Sequence, residues 1–198
     1  GRNGNASGEQ AISIGAGAQA AASGALAAGG ASNAGRDGAV ALGQGAFANT
    51  TAGISIGQNA GAGTSQGTTN DRTDHIAIGR NSGQNVIGNR NIALGVGAGS
   101  SLSASGIGSS DDNIAIGVNA GSNLTGDDNI DIGRDANKNI TAVAESVAIG
   151  SSVDATTGST VLGYEAKASG GDYATVLGYK AKVTGDSGTA LGRDSEAS

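Results

Sequence analysis

A four-residue phrase, aliphatic–small–aliphatic–glycine, recurs along the whole chain: "ISIG" closes at Gly15, "VALG" at Gly43, "IALG" at Gly95, "IAIG" at Gly117 and "VAIG" at Gly150. With the closing glycine as register mark, the repeats fall at Gly15, Gly29, Gly43, Gly57, Gly79, Gly95, Gly117, Gly133, Gly150, Gly163, Gly178 and Gly192. The intervals are 14, 14, 14, 22, 16, 22, 16, 17, 13, 15 and 14 residues. A fixed period of this kind describes a chain that stacks one supersecondary unit upon the next. Inside each phrase the alternation has period two, and glycine recurs too often for a helix. The elements are short strands closed by glycine turns.

Composition alone would point elsewhere. Ile, Leu, Val and Phe together number 34 of 198 residues, a proportion typical of disordered chains. The aliphatics are periodic, however, and the net charge is only −6, so the spacing decides for an ordered repeat. The mild acidity and three tyrosines without tryptophan argue against nucleic acid as a partner. Without cysteine there is neither a disulfide framework nor a thiolate metal site. No apolar run approaches a membrane-spanning helix, and the polar first eight residues do not read as a signal peptide. The sequence opens and closes inside its own repeat. It therefore reads as a piece of a longer chain, with export and anchoring signals elsewhere.

The whole of 1–198 reads as one repeat domain. Each unit reads as two strands: the aliphatic triplet, then a stretch such as Ala18-Gln19-Ala20 or Ala46-Phe47-Ala48, where small residues flank a variable one. Two such strands and two tight turns consume about 14 residues, giving a flattened coil whose turns stack at ~4.8 Å. In the triplets the larger pair, as in Val40 and Leu42, is expected inside the coil. The small middle column is then expected to face outward, against another chain: Ser13, Ala27, Ala41, Ser55, Ala77, Ala93, Ala115, Asp131 and Ala148. A coil this thin has little core, and self-association through that column is the expected remedy. The longer intervals carry surplus residues, expected as loops at 58–75 and 96–112.

"SIGAGAQAAASG" (13–24), "VLGYEAKASG" (161–170) and "VLGYKAKVTG" (176–185) resemble the head repeats of trimeric autotransporter adhesins, the YadA-like heads. The resemblance extends over nearly the whole chain. It implies a left-handed parallel β-roll, three chains side by side, on a bacterial surface, anchored in the outer membrane by a C-terminal region not contained in this sequence. It also implies adhesion to host matrix proteins such as collagen, laminin or fibronectin, or to cell-surface receptors. The 16- and 22-residue units also resemble repeats of phage and viral fibres, the alternative reading.

Motifs suggestive of chemistry have simpler explanations. "GAGAQA" (15–20) and "GQGAFA" (43–48) match a dinucleotide-binding spacing, but a strand follows each where the fingerprint needs a helix. Asp127, Asn129 and Asp131 echo a calcium loop, yet its glycine is one place late and its twelfth position is Lys138. His75, the only histidine, stands in a column with Asn91, Asn113 and Asn129 and reads as one step of a polar ladder. No catalytic set, metal site or cofactor site is expected, and the chain reads as a non-enzyme. Candidate ligand contacts are Phe47, Lys167 and Lys182 on the outward strand, with Tyr164 and Tyr179 at nearby turns.

Overall fold

The computed structural model describes residues 3–62, 74–86, 88–101, 110–140 and 143–198. Among these the chain is an all-β parallel solenoid of about twelve turns, without helix. Every aliphatic phrase forms a three-residue strand. The twelve pair in parallel and in chain order: Ile12–Ile14, Leu26–Ala28, Val40–Leu42, Ile54–Ile56, Ile76–Ile78, Ile92–Leu94, Ile114–Ile116, Ile130–Ile132, Val147–Ile149, Thr160–Leu162, Thr175–Leu177 and Thr189–Leu191. The sequence register is the structural register. Val40 pairs with Ile54, and the two 22-residue intervals are each one turn, with Ile54 paired to Ile76 and Ile92 to Ile114. Of the expected loops, residues 63–73 and 102–109 lie outside the described residues.

Glycine at the register position follows from conformation and space together. All twelve have φ between 108° and 149°. A Cβ on Gly29 would lie 2.4 Å from the carbonyl oxygen of Gly43, and one on Gly163 would lie 2.1 Å from that of Gly178. Successive turns touch backbone to backbone here, so only glycine fits.

The second strand forms only toward the two ends of the chain. Asn5–Ala6, Gln19–Ala20, Asn33–Ala34 and Phe47–Ala48 make one small sheet, and Lys167–Ala168, Lys182–Val183 and Glu196–Ala197 another. Between them, turns replace it. Gly61, Gly83, Gly99 and Gly121 occupy the place of Gln19, Asn33 and Phe47, and all four have φ between 53° and 64°. Left-handed backbone cannot continue a strand, so the two-strand unit expected throughout holds only for the short coils.

The faces of the twelve-stranded sheet are the reverse of those expected. Ser13, Ala27, Ala41, Ser55, Ala77, Ala93, Ala115, Asp131 and Ala148 line the inside of their own coil, and Ala27, Ala41, Asp131 and Ala148 are wholly buried within the single chain. Val40, Leu42 and their counterparts point outward and are only partly covered. The coil is one small side chain thick. The Ser13 hydroxyl donates across it to the Ala18 carbonyl at 2.9 Å, and that of Ser55 to the Phe47 carbonyl at 3.0 Å. A space spanned by a serine cannot hold two layers of leucine. The interior is therefore mostly alanine, met from the far side by Ala18, Ala46, Ala98, Ala120 and Ala166, and joined in the C-terminal coils by Val153, Val161, Val176 and Val183. In the longer coils, Val86, Leu124 and Val143, with Ile140 against them, fill a second small core beneath the added turn.

Candidate functional site

The outward aliphatics make the largest feature of the surface. Two parallel columns run along the sheet. One passes through Ile12, Leu26, Val40 and Ile54, stays aliphatic as far as Val147 and ends in Thr160, Thr175 and Thr189. The other passes through Ile14, Ala28, Leu42, Ile56 and Ile78 and continues aliphatic to Leu191. Ile12, Ile14, Leu177 and Leu191 are 53%, 60%, 48% and 61% exposed. A ribbon of this kind exceeds the scattered apolar residues normal on a monomer. The face itself was legible in the sequence as two columns. The rule that large apolar residues go inside assigned them to the wrong side.

Four of the five candidate ligand contacts come together near the C-terminal end. Tyr164 and Tyr179 stack, with ring centroids 5.4 Å apart and planes 12° from parallel. Lys167 and Lys182 pair in register on the second strand. Phe47 lies in the third coil, far along the stack, and lines a cavity of about 20 Å³ with Ser55, His75 and Asn91, room for one water. The sequence reading missed the partners of the cluster. The Arg193 guanidinium sits 5.3 Å from the Tyr179 ring centroid and the Lys180 ammonium 5.4 Å from it. Both follow from register: Tyr164, Tyr179 and Arg193 each stand one residue after a register glycine, and Glu165, Lys180 and Asp194 two after.

Nor is the cluster a bare cationic patch. Lys167 pairs with Asp154 at 2.6 Å, Lys180 with Glu165 at 3.5 Å, Lys182 with Glu196 at 3.7 Å and Arg193 with Asp194 at 3.0 Å. The Tyr164 hydroxyl donates to Glu165, which raises the phenol's pKa and, with Lys180 nearby, lowers that of the carboxyl. The neighbouring Tyr179 and then the negative charge of Glu165 raise the pKa of Lys180. The surface offered to a ligand is aromatic and zwitterionic.

The polar ladder expected around His75 is present and buried. Asn113 donates from its backbone and its amide nitrogen to Asn91 Oδ1 at 3.0 and 3.1 Å, and Asn129 does the same to Asn113 Oδ1 at 3.0 and 2.9 Å. Ser146 ends the run by donating to Asn129 Oδ1 at 2.7 Å. The His75 ring bonds the Gly88 carbonyl. The calcium-like triplet is dispersed by the same geometry. Asp127 stays outside and caps the Asp111 backbone amide at 2.8 Å, whereas Asn129 and Asp131 are buried in the coil. Among the described residues no group of three or more His, Asp or Glu is placed to hold a metal ion.

Two segments, residues 34–60 and 169–195, match the YadA head domain repeat. Both lie where the coils are short and at least partly two-stranded. No curated protein sequence matches the chain significantly. Two stretches of the chain thus match head repeats of the YadA kind.

Proposed function

We propose that this solenoid is the head segment of a bacterial surface adhesin that assembles as a homotrimer through its aliphatic ribbon. The observation that carries the reading is the double column of Ile, Leu and Val outside a coil already closed by alanine. Each coil is complete within one chain, so the aliphatics serve contact between chains. Ribbons on three copies can meet around a common axis and leave the turns and the short second strand facing outward. A left-handed β-roll and attachment to an outer membrane through parts of the parent chain beyond these residues belong to the same proposal. The YadA head repeats favour the adhesin over a phage or viral fibre.

On this reading the ligand is a host matrix protein, such as collagen, laminin or fibronectin, or a cell-surface receptor. It is met by the turns, with the Tyr164–Tyr179 stack and the Lys167–Lys182 strand as contacts and threefold repetition adding avidity. Sedimentation of the intact chain tests the assembly. A compact trimer that Ile116→Glu converts to monomer is expected; a monomer in the unmutated chain would overturn the reading. Binding to immobilised matrix proteins tests the ligand. Tyr164→Ala with Tyr179→Ala is expected to weaken it while leaving the trimer intact, and unchanged binding would move the contact elsewhere.

A further inference from the structure

The column lining the inside of the coil is Ala, Ser or Val in eleven of its twelve places, and aspartate at Asp131. That side chain is wholly buried. Above and below it in the sheet stand Ala115 and Ala148. Across the coil, the preceding turn presents Gly121, where a Cβ would come within 2.9 Å of Asp131 Oδ2. Its own turn presents Asn137, whose amide donates to Asp131 Oδ1 at 2.6 Å, while Oδ2 has no hydrogen-bond partner among the described residues.

Asn137 is equally particular. It takes the position that Gly83, Gly99 and Gly121 hold in the neighbouring long coils, with φ of 45° against their 53–55°. Its side chain turns into the coil, donates weakly to Ser146 at 3.4 Å and accepts from the Ala155 backbone at 2.6 Å. One coil has thus exchanged a glycine–alanine pair for an asparagine–aspartate pair, at the point where the asparagine ladder ends.

Among the described residues no ion pair compensates the carboxyl. The charged groups of the elements around it face outward: Asp127 and Asp128 before its strand, Arg134 and the Asp135–Lys138 pair after it, and Glu145 before the next. His75, in the ladder column three coils back, is the other buried titratable side chain among the described residues.

We infer that Asp131 makes this coil a proton-sensitive joint, closed while the carboxyl is neutral and loosened when it ionises. Burial pushes the carboxyl up to about 7, against an opposing hydrogen bond from Asn137. The folded coil therefore binds a proton that the unfolded chain has already released above about pH 4. Stability is fullest in acid, falls as pH rises from there to neutrality, and is level above. A carboxylate held by a cation or an arginine would show the reverse. The consequence is a rod stiffer in mild acid than in neutral medium at one coil, the rest being indifferent.

Amide hydrogen exchange on the full chain between pH 5 and pH 8, corrected for intrinsic rates, tests this. All proteins carry His75→Asn, so that the imidazole does not titrate in the same window. With Asp131 present, protection at Ile130, Gly133 and Asn137 is expected to fall about tenfold or more across the range, and in Asp131→Asn to stay within about twofold. Val40 and Val176, in remote coils, are expected to stay level in both. Equal behaviour of the two proteins at Gly133 would overturn the inference. If the variants fail to fold, the infrared band of a protonated carboxyl in the unmutated protein decides. It is expected at pH 5.5 and lost by pH 8, and its absence at pH 5.5 would overturn the inference.

Discussion

The short coils toward the ends and the long coils between them solve the same winding problem with different interiors. Four residues before each register glycine, the short coils have Ala11, Ala25, Ala39 and Ala174 or the glycines Gly53 and Gly188, and the long coils have His75, Asn91, Asn113 and Asn129, with Ser146 and Ser159 at the transition. Where the interior is alanine on both sides, a second strand can close the coil, as at Gln19–Ala20 and Asn33–Ala34. Where the chain makes extra turns instead, more backbone carbonyls point inward without a strand to pair them. The asparagines meet that need: Asn91, Asn113 and Asn129 donate to the carbonyls of Ser110, Gly126 and Val143 at 2.6, 2.9 and 2.8 Å. Apolar packing suffices for a two-stranded turn. An irregular one requires a polar ladder, because buried carbonyls without partners are costly.

The largest effect should ignore this difference and follow the shared thinness of the coil. Ala41→Glu in a short coil and Ala115→Glu in a long one both place a carboxylate where only a methyl fits. Each is expected to cost more than about 4 kcal/mol and abolish the folded coil, read as loss of the β signal in circular dichroism. Glutamate at the adjoining outward position, Leu42 or Ile116, is expected to keep that signal and lose the trimer. If Ala41→Glu gave folded monomers, the small column would face another chain after all.

The second effect should separate the regions. Asn113→Ala strands the Gly126 carbonyl and the Asn129 backbone amide and takes one of two donors from Asn91 Oδ1, at an expected cost of roughly 3–5 kcal/mol. The reciprocal change, Ala39→Asn, puts a lone amide into an alanine interior without ladder partners and is expected to cost roughly 2–4 kcal/mol. Urea midpoints of the two variants check both. If Ala39→Asn were neutral, the ladder would be an ornament of the long coils and not a condition of their winding.

What could be read in advance follows the same division. The register was legible because glycine at Gly29 or Gly163 is imposed by backbone contact, and that constraint is local. The ladder was legible because His75, Asn91, Asn113 and Asn129 share one offset from their glycines. The inside of the coil was not. Period two gives two faces to "VAL" at 40–42 without saying which is enclosed, and that depends on coil thickness, set by the opposite wall. The loss of the second strand in the middle was signalled by Gly61, Gly83, Gly99 and Gly121 at one offset, but their left-handed backbone appears only once the coil is built. The Asp131–Asn137 pair joins two offsets six residues apart and had no local mark.

A smaller effect concerns the aromatic stack. Tyr179 lies between Tyr164 and Arg193, so Tyr179→Ala removes a ring–ring contact and a ring–cation contact together. The expected loss is about 2–4 °C in the unfolding midpoint, with Tyr164→Ala losing less because its ring meets one neighbour only. Differential scanning calorimetry orders the two; the reverse order would mean that the stack is held from the Tyr164 side.

The smallest effect tests the column five residues before each register glycine, where the regions differ in residue type but not in backbone. Short coils have Gly24, Gly38 and Gly158 there, with the uncharged Gln10, Ala52, Tyr173 and Ser187, whereas long coils have the charged Asp74, Arg90, Asp112, Asp128 and Glu145, all with φ between 53° and 65°. Non-glycine residues take the left-handed backbone in both regions, and only in the long coils do they all bring a charged side chain. Arg90 uses its own to donate from Nε and Nη2 to Asp112 at 2.6 and 2.5 Å, which holds the Asp112 carboxyl below its usual range. The support from this pair is present above about pH 4 and disappears as pH falls through the lowered carboxyl value. Arg90 is 51% exposed and Asp112 39%, so solvent screens the pair and it contributes little. Arg90→Gly therefore loses a weak pair and relieves an unfavourable backbone, two small terms of opposite sign, and the melting midpoint is expected to move by less than about 1 °C. Arg90→Ala loses the pair and keeps the strain, so its midpoint should be lower than that of Arg90→Gly at pH 7. The order of these two midpoints shows whether the long coils depend on the side chain or only tolerate the backbone. Alanine equal to glycine would mean that the left-handed column carries no strain to relieve.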